Sequence, residues 1–231
     1  MPKIDIRQVS VGFGSGRARA QALDGIDATL QSGLFTIISG PSGSGKTSLL
    51  SVIGAILSPD SGSVHIEGID ITHLDSRKRA IFRREYIGYV FQLFRLMPAL
   101  SAEENIRLSL ELRRKPSDRR RAITALELVG LADKAHLRPR QMSGGEQQRV
   151  AVARAIAHDP MVILADEPTA SLDTANGLNV TKLLAELAQD SRRIVVVVTH
   201  DPRVLPFARR TISMKDGRIV TGDSCVASSN S

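Results

Sequence analysis

"LFTIISGPSGSGKTSLLSVIG", residues 34–54, decides how the rest of the chain is read. Its first part, "LFTIIS", is continuously apolar and rich in β-branched residues, the pattern of a strand buried on both faces. Its last part reads as a helix. Between them Gly40, Gly43 and Gly45 let the backbone curl so that successive N–H groups face a polyphosphate. Pro41, Ser42 and Ser44 complete the loop. Lys46 reaches the β- and γ-phosphates of such a ligand, Thr47 offers its hydroxyl to Mg2+, and Ser48 follows onto the α-phosphate. The helix dipole from residue 46 onward favours the negative charge. The alternative is a flexible Gly/Ser turn, and the strand before and helix after the loop weigh against it.

Working outward, "YIGYVF", "MVILAD" and "RIVVVVTH" repeat the buried-strand pattern. "KIDIRQV" alternates apolar and polar residues and reads as a half-exposed strand. Helical patterns stand between them: Val180, Leu183, Leu184 and Leu187 share one face, as do Ala122, Ile123, Leu126 and Val129. Asp216-Gly217 in "MKDGRIV" signals a hairpin. The expected fold is α/β, a mostly parallel sheet with helices on both faces and an antiparallel β portion on the N-terminal side. Residues from about 93 to 157 lack a buried strand and read as a helical subdomain inserted into one domain, 1–223. Residues 224–231 read as a flexible tail.

Composition bounds the function. The 231 residues suffice for one well-cored domain, and 42% hydrophobic content excludes a disordered chain. Cys225 is the single cysteine, so no internal disulfide forms. "MPKIDIRQVS" has no apolar core for a signal peptide, and the longest apolar runs fall far short of the ~20 residues of a membrane span. Net charge is +7, spread over short clusters such as Arg83-Arg84, Arg113-Arg114-Lys115 and Arg119-Arg120-Arg121. With aromatics at 3% and no Trp, these clusters come without base-stacking platforms and read as solvated faces; no nucleic acid is expected as a partner.

Two further strand ends carry chemistry. "MVILADEP", 161–168, ends in two carboxylates where open α/β sheets place their ligands. Asp166 suits the Mg2+ shell and Glu167 suits polarising a water for attack on a γ-phosphate. "IVVVVTHD" delivers His200 beside the same phosphates. Gln92, after "YIGYVF", can add its amide oxygen to the Mg2+ shell. Alone, the carboxylates, the His and the Gln would each pass for ordinary surface residues. "MSGGEQQR", 142–149, adds a second glycine-flanked helix start, a second place for an anion about a hundred residues beyond the first.

Together these motifs, in this order over about 4–222, resemble the ABC transporter ATPases, and "MSGGEQQRVAVARAIAHDP" followed by "ILADEPTASLD" is highly specific. "TIISGPSGSGKTSLLSVIGAI" and "IGYVFQLFRLMPALSAEENI" resemble the exporter subgroup, which includes macrolide, lipoprotein-releasing and heterocyst-glycolipid-type exporters. The resemblance implies a P-loop NTPase fold, ATP and Mg2+ as ligands, and an ATP-sandwich dimer of two copies, head to tail. In that dimer Ser143, Gly144, Gly145 and Glu146 complete the partner copy's ATP site, and Asp173 couples the two sites. It also implies transmembrane permease subunits as partners, with a periplasmic adaptor as a further one, and a peripheral place on the cytoplasmic face of the inner membrane.

Two positions depart from the family pattern. Met142 and Glu146 stand where Leu and Gln are usual; Ser143-x-x-Glu146 reads as a capping box, with Glu at N3 favourable to the helix dipole. Phe13, next to the insertion 14–21, stands for the adenine-stacking aromatic, usually Tyr. The rival function is a soluble ABC ATPase acting on nucleic acid or a protein scaffold. Residues 48–142 cannot hold the long coiled coil of the DNA-repair type, and the single ATPase domain differs from the paired domains of the translation-factor type. A mechanical subunit, driving periplasmic enzymes through its permease, is the variant nearest to the exporter reading. Leu93, Phe94, Leu96, Met97 and Leu100 after Gln92 are the expected docking patch for the permease.

Overall fold

The computed structural model describes residues 1–14, 16, 19–114 and 118–225, with side chains described as far as Val220. The alternating N-terminal pattern forms β1 (Lys3–Phe13) and β2 (Ala20–Gln31). The apolar run that follows is β3 (Phe35–Ser39), and the glycine loop leads into α1 (Lys46–Ile53). Then come β4 (Ser61–Ile66), β5 (Ile69–Asp70), α2 (Ser76–Tyr86) and β6 (Ile87–Val90). The helices α3 (Ala102–Leu112), α4 (Arg119–Leu128) and α5 (Gly144–Ile156) stand between β6 and β7 (Val162–Asp166). The chain continues with α6 (Thr174–Leu187), β8 (Ile194–Thr199), β9 (Arg210–Lys215) and β10 (Arg218–Cys225).

The strands form two sheets, one in the order β2-β1-β4-β5 and one in the order β10-β9-β3-β8-β7-β6. The first is antiparallel throughout. In the second, β9, β3, β8, β7 and β6 are parallel and β10 is an antiparallel edge. The unbroken apolar strands of the sequence are thus the parallel ones. All six residues of β8 are buried, and each large apolar side chain so placed contributes about 1.5–3 kcal/mol. Strand alternation divides them: Val195 and Val197 face one core, Ile194, Val196 and Val198 the other.

The second core joins the parallel sheet to α1 and the antiparallel sheet through residues such as Leu49, Ile4 and Val64. The first joins the sheet to α3–α6: Ile106, Leu126, Val150 and Leu184 are packed in one cluster with Phe35 and Ile37. The helices of the stretch 93–157 therefore share their core with the sheet. Asp216 and Gly217 both have positive φ, 50° and 75°, as a two-residue hairpin turn requires. β10 runs on to Cys225, so the segment read as a tail begins inside a strand at Ser224; residues 226–231 lie outside the described residues. Helix α2 has no counterpart in the sequence reading, because "SRKRAIFRREY" buries only Phe82 and shows no apolar stripe.

Candidate functional site

The C-terminal ends of β3, β7 and β8, and the turn after β6, lie along one side of the parallel sheet. The order of strands alone brings Gly40, Asp166–Glu167, His200 and Gln92 there. The loop after β3 is tight because the backbone of neighbouring strands leaves no room for a side chain. A Cβ at Gly40 would stand 2.2 Å from the Met214 carbonyl oxygen, and one at Gly45 would stand 2.3 Å from that of Ala22. Both glycines also have positive φ, 152° and 95°. Lys46, buried at the first position of α1, donates to the carbonyls of Gly40 and Pro41, each at 2.8 Å, and so folds its ammonium back over the loop. Ser44 is buried, and its hydroxyl has no hydrogen-bond partner among the described residues.

Thr47 Oγ1 donates to Asp166 Oδ1 at 3.0 Å, joining α1 to the end of β7. Burial holds the Asp166 carboxyl above its ordinary range, against the hydrogen bond from Thr47 and with the adjacent Glu167 adding to the rise. Glu167 follows with φ 46°, left-handed backbone that an L-residue adopts at a cost of about 1–2 kcal/mol. Its position is over-determined: its N–H donates to Val198 O at 2.9 Å, Thr199 Oγ1 donates to its Oε2 at 3.1 Å, and His200 Nδ1 lies 2.6 Å from its Oε1.

A cavity of about 580 Å³ opens over these groups, lined by Phe13, Ala22, residues 42–48, Gln92, Glu167 and His200. Phe13 is half exposed at its rim, at the end of β1. Most of the residues singled out in the sequence thus meet in one cavity. Gly40, Pro41 and Asp166 act from just behind it. Ser143, Gly144, Gly145, Glu146 and Asp173 are not among its lining residues. Ser143 caps α5, accepting from Glu146 N at 3.3 Å, while Glu146 Oε2 accepts from Ser143 N at 2.8 Å; the capping box read from the sequence is formed. Gly145 is buried, and a Cβ there would stand 2.3 Å from Asn176 Oδ1, so this glycine is required by the packing of α5 on α6. Asp173 caps α6, with both carboxylate oxygens bonded to Asn176.

Some residues of the site escaped the sequence reading. Thr199 holds Glu167 and was hidden behind His200. Gln148 is fully buried and donates to Pro168 O at 2.9 Å and Phe91 O at 3.4 Å. Arg154 donates to Phe94 O at 2.9 Å and Arg95 O at 2.5 Å. A polar residue set among the apolar positions of α5 was the available signal for both, Gln148 being fully buried and Arg154 partly so. The expected docking patch is divided: Leu96 packs against the core while Leu93 and Met97 are exposed.

A second hollow, about 880 Å³, lies between α2, β6 and α3. Its walls are apolar, with Ile56, Ile81, Leu108 and Leu112, and its rim carries Arg77, Arg83, Arg84, Arg113 and Arg114. Arg113 Nη1 donates to the carbonyls of Arg83 and Arg84 at the last turn of α2, 3.2 and 2.7 Å away, and burial pushes its guanidinium down to about 10. Arg83-Arg84 and Arg113-Arg114, from two of the basic clusters read as solvated faces, thus converge here from segments about thirty residues apart.

A strand, a glycine loop and a helix carrying Lys46 and Thr47, with carboxylates at a neighbouring strand end, define a P-loop NTPase. Residues 23–170 match the family described as ABC transporter. The chain belongs to that family, as an ATP-hydrolysing transporter subunit. It is 42% identical over 222 residues to an uncharacterized ABC transporter ATP-binding protein of Mycobacterium tuberculosis (strain H37Rv), covering 95% of this chain and 89% of that one. To the macrolide export ATP-binding/permease protein MacB of Hyphomonas neptunium it is 40% identical, over 95% of this chain and 34% of that protein. The chain thus spans about a third of the length of such ATP-binding/permease relatives. The ATP-binding cassette MJ0796, in a dimeric post-hydrolysis structure bound to ADP and Pi, superposes with a TM-score of 0.87 at 38% identity, covering 97% of this chain and 99% of that one. Among the described residues no helix is long and apolar enough to cross a membrane.

Proposed function

We propose that this chain binds ATP in the cavity over the glycine loop and hydrolyses it between two copies of itself, powering a membrane export complex through a separate permease. The observation that carries the reading is the meeting of the loop, Gln92, Glu167 and His200 in one cavity, from four segments distant in sequence. The loop N–H groups and Lys46 would hold the phosphates, and Phe13 would stack on the base. The donor set at Thr47, Asp166 and Gln92 is all oxygen, the chemistry that suits Mg2+. Burial raises the Asp166 carboxyl in spite of the Thr47 hydrogen bond and the nearby Lys46 charge, and a divalent cation there would favour its charged form. Among the described residues no cluster of three or more His, Cys, Asp or Glu would hold a metal without substrate; a phosphate-assisted Mg2+ site has no need of one. Held by Thr47, Asp166 and Gln92, such an ion would neutralise phosphate charge. Glu167 takes a proton from water as the water oxygen bonds to the γ-phosphorus and the bond to the β-phosphate oxygen breaks. His200 and Thr199 hold that carboxylate in place.

Ser143 and Gly144, outside the cavity, would face the ATP of the second copy, which supports the head-to-tail sandwich; the dimeric form of MJ0796 supports it too. The permease would dock in the arginine-rimmed hollow, whose wall takes in Met97 of the expected patch, while Leu93, Phe94 and Leu96 line a smaller hollow of about 350 Å³. The fused ATP-binding/permease relatives support a permease partner, and a periplasmic adaptor and a place on the inner membrane's cytoplasmic face belong to the same proposal. Size-exclusion chromatography of the Glu167→Gln variant with ATP tests it. An ATP-dependent dimer is expected, and a permanent monomer that still hydrolyses ATP would overturn the reading.

A further inference from the structure

We infer that Lys134 is a positioning residue that keeps the Glu146 carboxylate neutralised and turned back into its own chain, so that α5 can present its N-terminus to a polyphosphate. This rests on the reading of Ser143–Glu146 as the contact to the second copy's ATP. Lys134 belongs to the turn Ala132–Lys134, and its Nζ lies 2.5 Å from Glu146 Oε1. The other oxygen, Oε2, accepts from Ser143 N. Each carboxylate oxygen is thereby occupied by a partner within the chain, and the side chain is largely covered, at 17% exposure.

The chemistry explains why such a device is needed. Glu146 sits at the third position of α5, within the first turn, where its charge suits the helix dipole. The same charge opposes an approaching triphosphate, at a range where Coulomb repulsion is only partly screened. An ammonium bonded to the carboxylate turns a charge into a dipole, whose field falls off faster. The pairing is mutual: Lys134 holds the Glu146 carboxyl below its ordinary range, and Glu146 raises the Lys134 ammonium. A glutamine at 146 would cap Ser143 equally well, since either side chain serves in a capping box, and would need no counter-ion.

The test uses the full chain in the Glu167→Gln background, measuring the ATP concentration that half-saturates dimer formation by light scattering. Lys134→Ala is expected to raise it by about tenfold, and the increase should shrink at high salt. Lys134→Gln, which keeps a donor without the charge, should do the same and guards against local collapse of the turn. Adding Glu146→Gln to either should return the parent value, while the affinity of monomers for a fluorescent ATP analogue stays unchanged throughout. A charge-blind result, in which Lys134→Ala and Lys134→Gln match the parent or Glu146→Gln fails to rescue them, overturns the inference. Ser143→Arg separates the two levels. If it leaves dimer formation intact, the contact to the second ATP fails and the inference falls with it; if it blocks the dimer while Lys134 variants are silent, only the inference falls.

Discussion

Two hollows of this molecule are built on opposite principles. The cavity over the glycine loop, about 580 Å³, is shaped by backbone: glycines pressed against neighbouring carbonyls, and strand ends whose order places each side chain. The arginine-rimmed hollow is larger, about 880 Å³, and is shaped almost wholly by side chains from α2, α3 and the segments beside them. A backbone-shaped site tolerates few sequences, so it leaves motifs. A side-chain-shaped one asks only for apolar walls and a charged rim, which many spacings satisfy. In the function proposed above, chemistry on phosphates belongs to the first and choice of partner to the second.

If that division is right, variants in the two regions should separate cleanly. The largest effect is expected at Glu167. Glu167→Gln should slow hydrolysis by about 10²–10⁴-fold in a phosphate-release assay while nucleotide binding persists; near-normal turnover would remove this carboxylate from its role. Lys46→Ala removes a charged donor from the loop. Its affinity for a fluorescent nucleotide should fall by about 10–100-fold, and an unchanged titration would break the cavity assignment. Leu112, 72% exposed on α3, tests the other hollow. Leu112→Glu should weaken retention of the permease in pull-downs by about tenfold or more, with ATP affinity unmoved; a loss of ATP affinity would show that the two hollows are not independent. The smallest effect is expected at Arg114, which follows α3 with φ 54°. Arg114→Gly relieves that backbone and should raise stability by about 0.5–1 kcal/mol, a shift of a few degrees in a thermal melt, without changing hydrolysis.

Much of the candidate site was legible beforehand, for a physical reason. Gly40 and Gly45 are demanded by contacts under 2.5 Å, and Asp166, Glu167 and His200 follow apolar strands that announce themselves by burial on both faces. Parallel strands are read from unbroken apolar runs, and that pattern held for β3, β6, β7 and β8. What escaped was set by tertiary neighbours. Helix α2 buries Phe82 alone, so its 3.6-residue period carries no signal. The charged stretches around Arg83 and Arg113 gain meaning only when one guanidinium caps the other helix. Leu96 and Met97 look alike in the chain, and packing sends one to the core and leaves the other in solvent. Gly145 reads as an anion contact, and its second constraint, the close approach of Asn176 on α6, comes from a neighbour about thirty residues away that the motif does not show.

Helix α5 is bolted at two points to the loops of its own cavity. Gln148 bridges the carbonyls that flank Gln92 and Glu167, at Phe91 and Pro168, and Arg154 grips the strand-like turn at Phe94 and Arg95. The same helix begins at Ser143. In the sandwich proposed above it is therefore a rigid rod with its tip at one nucleotide and its shaft fastened around the other. Such a rod cannot shift at one end alone. In that arrangement occupancy of one pocket would be felt at its twin without passing through the membrane partner, and the two halves of the motor would share a timing belt before any permease arrives.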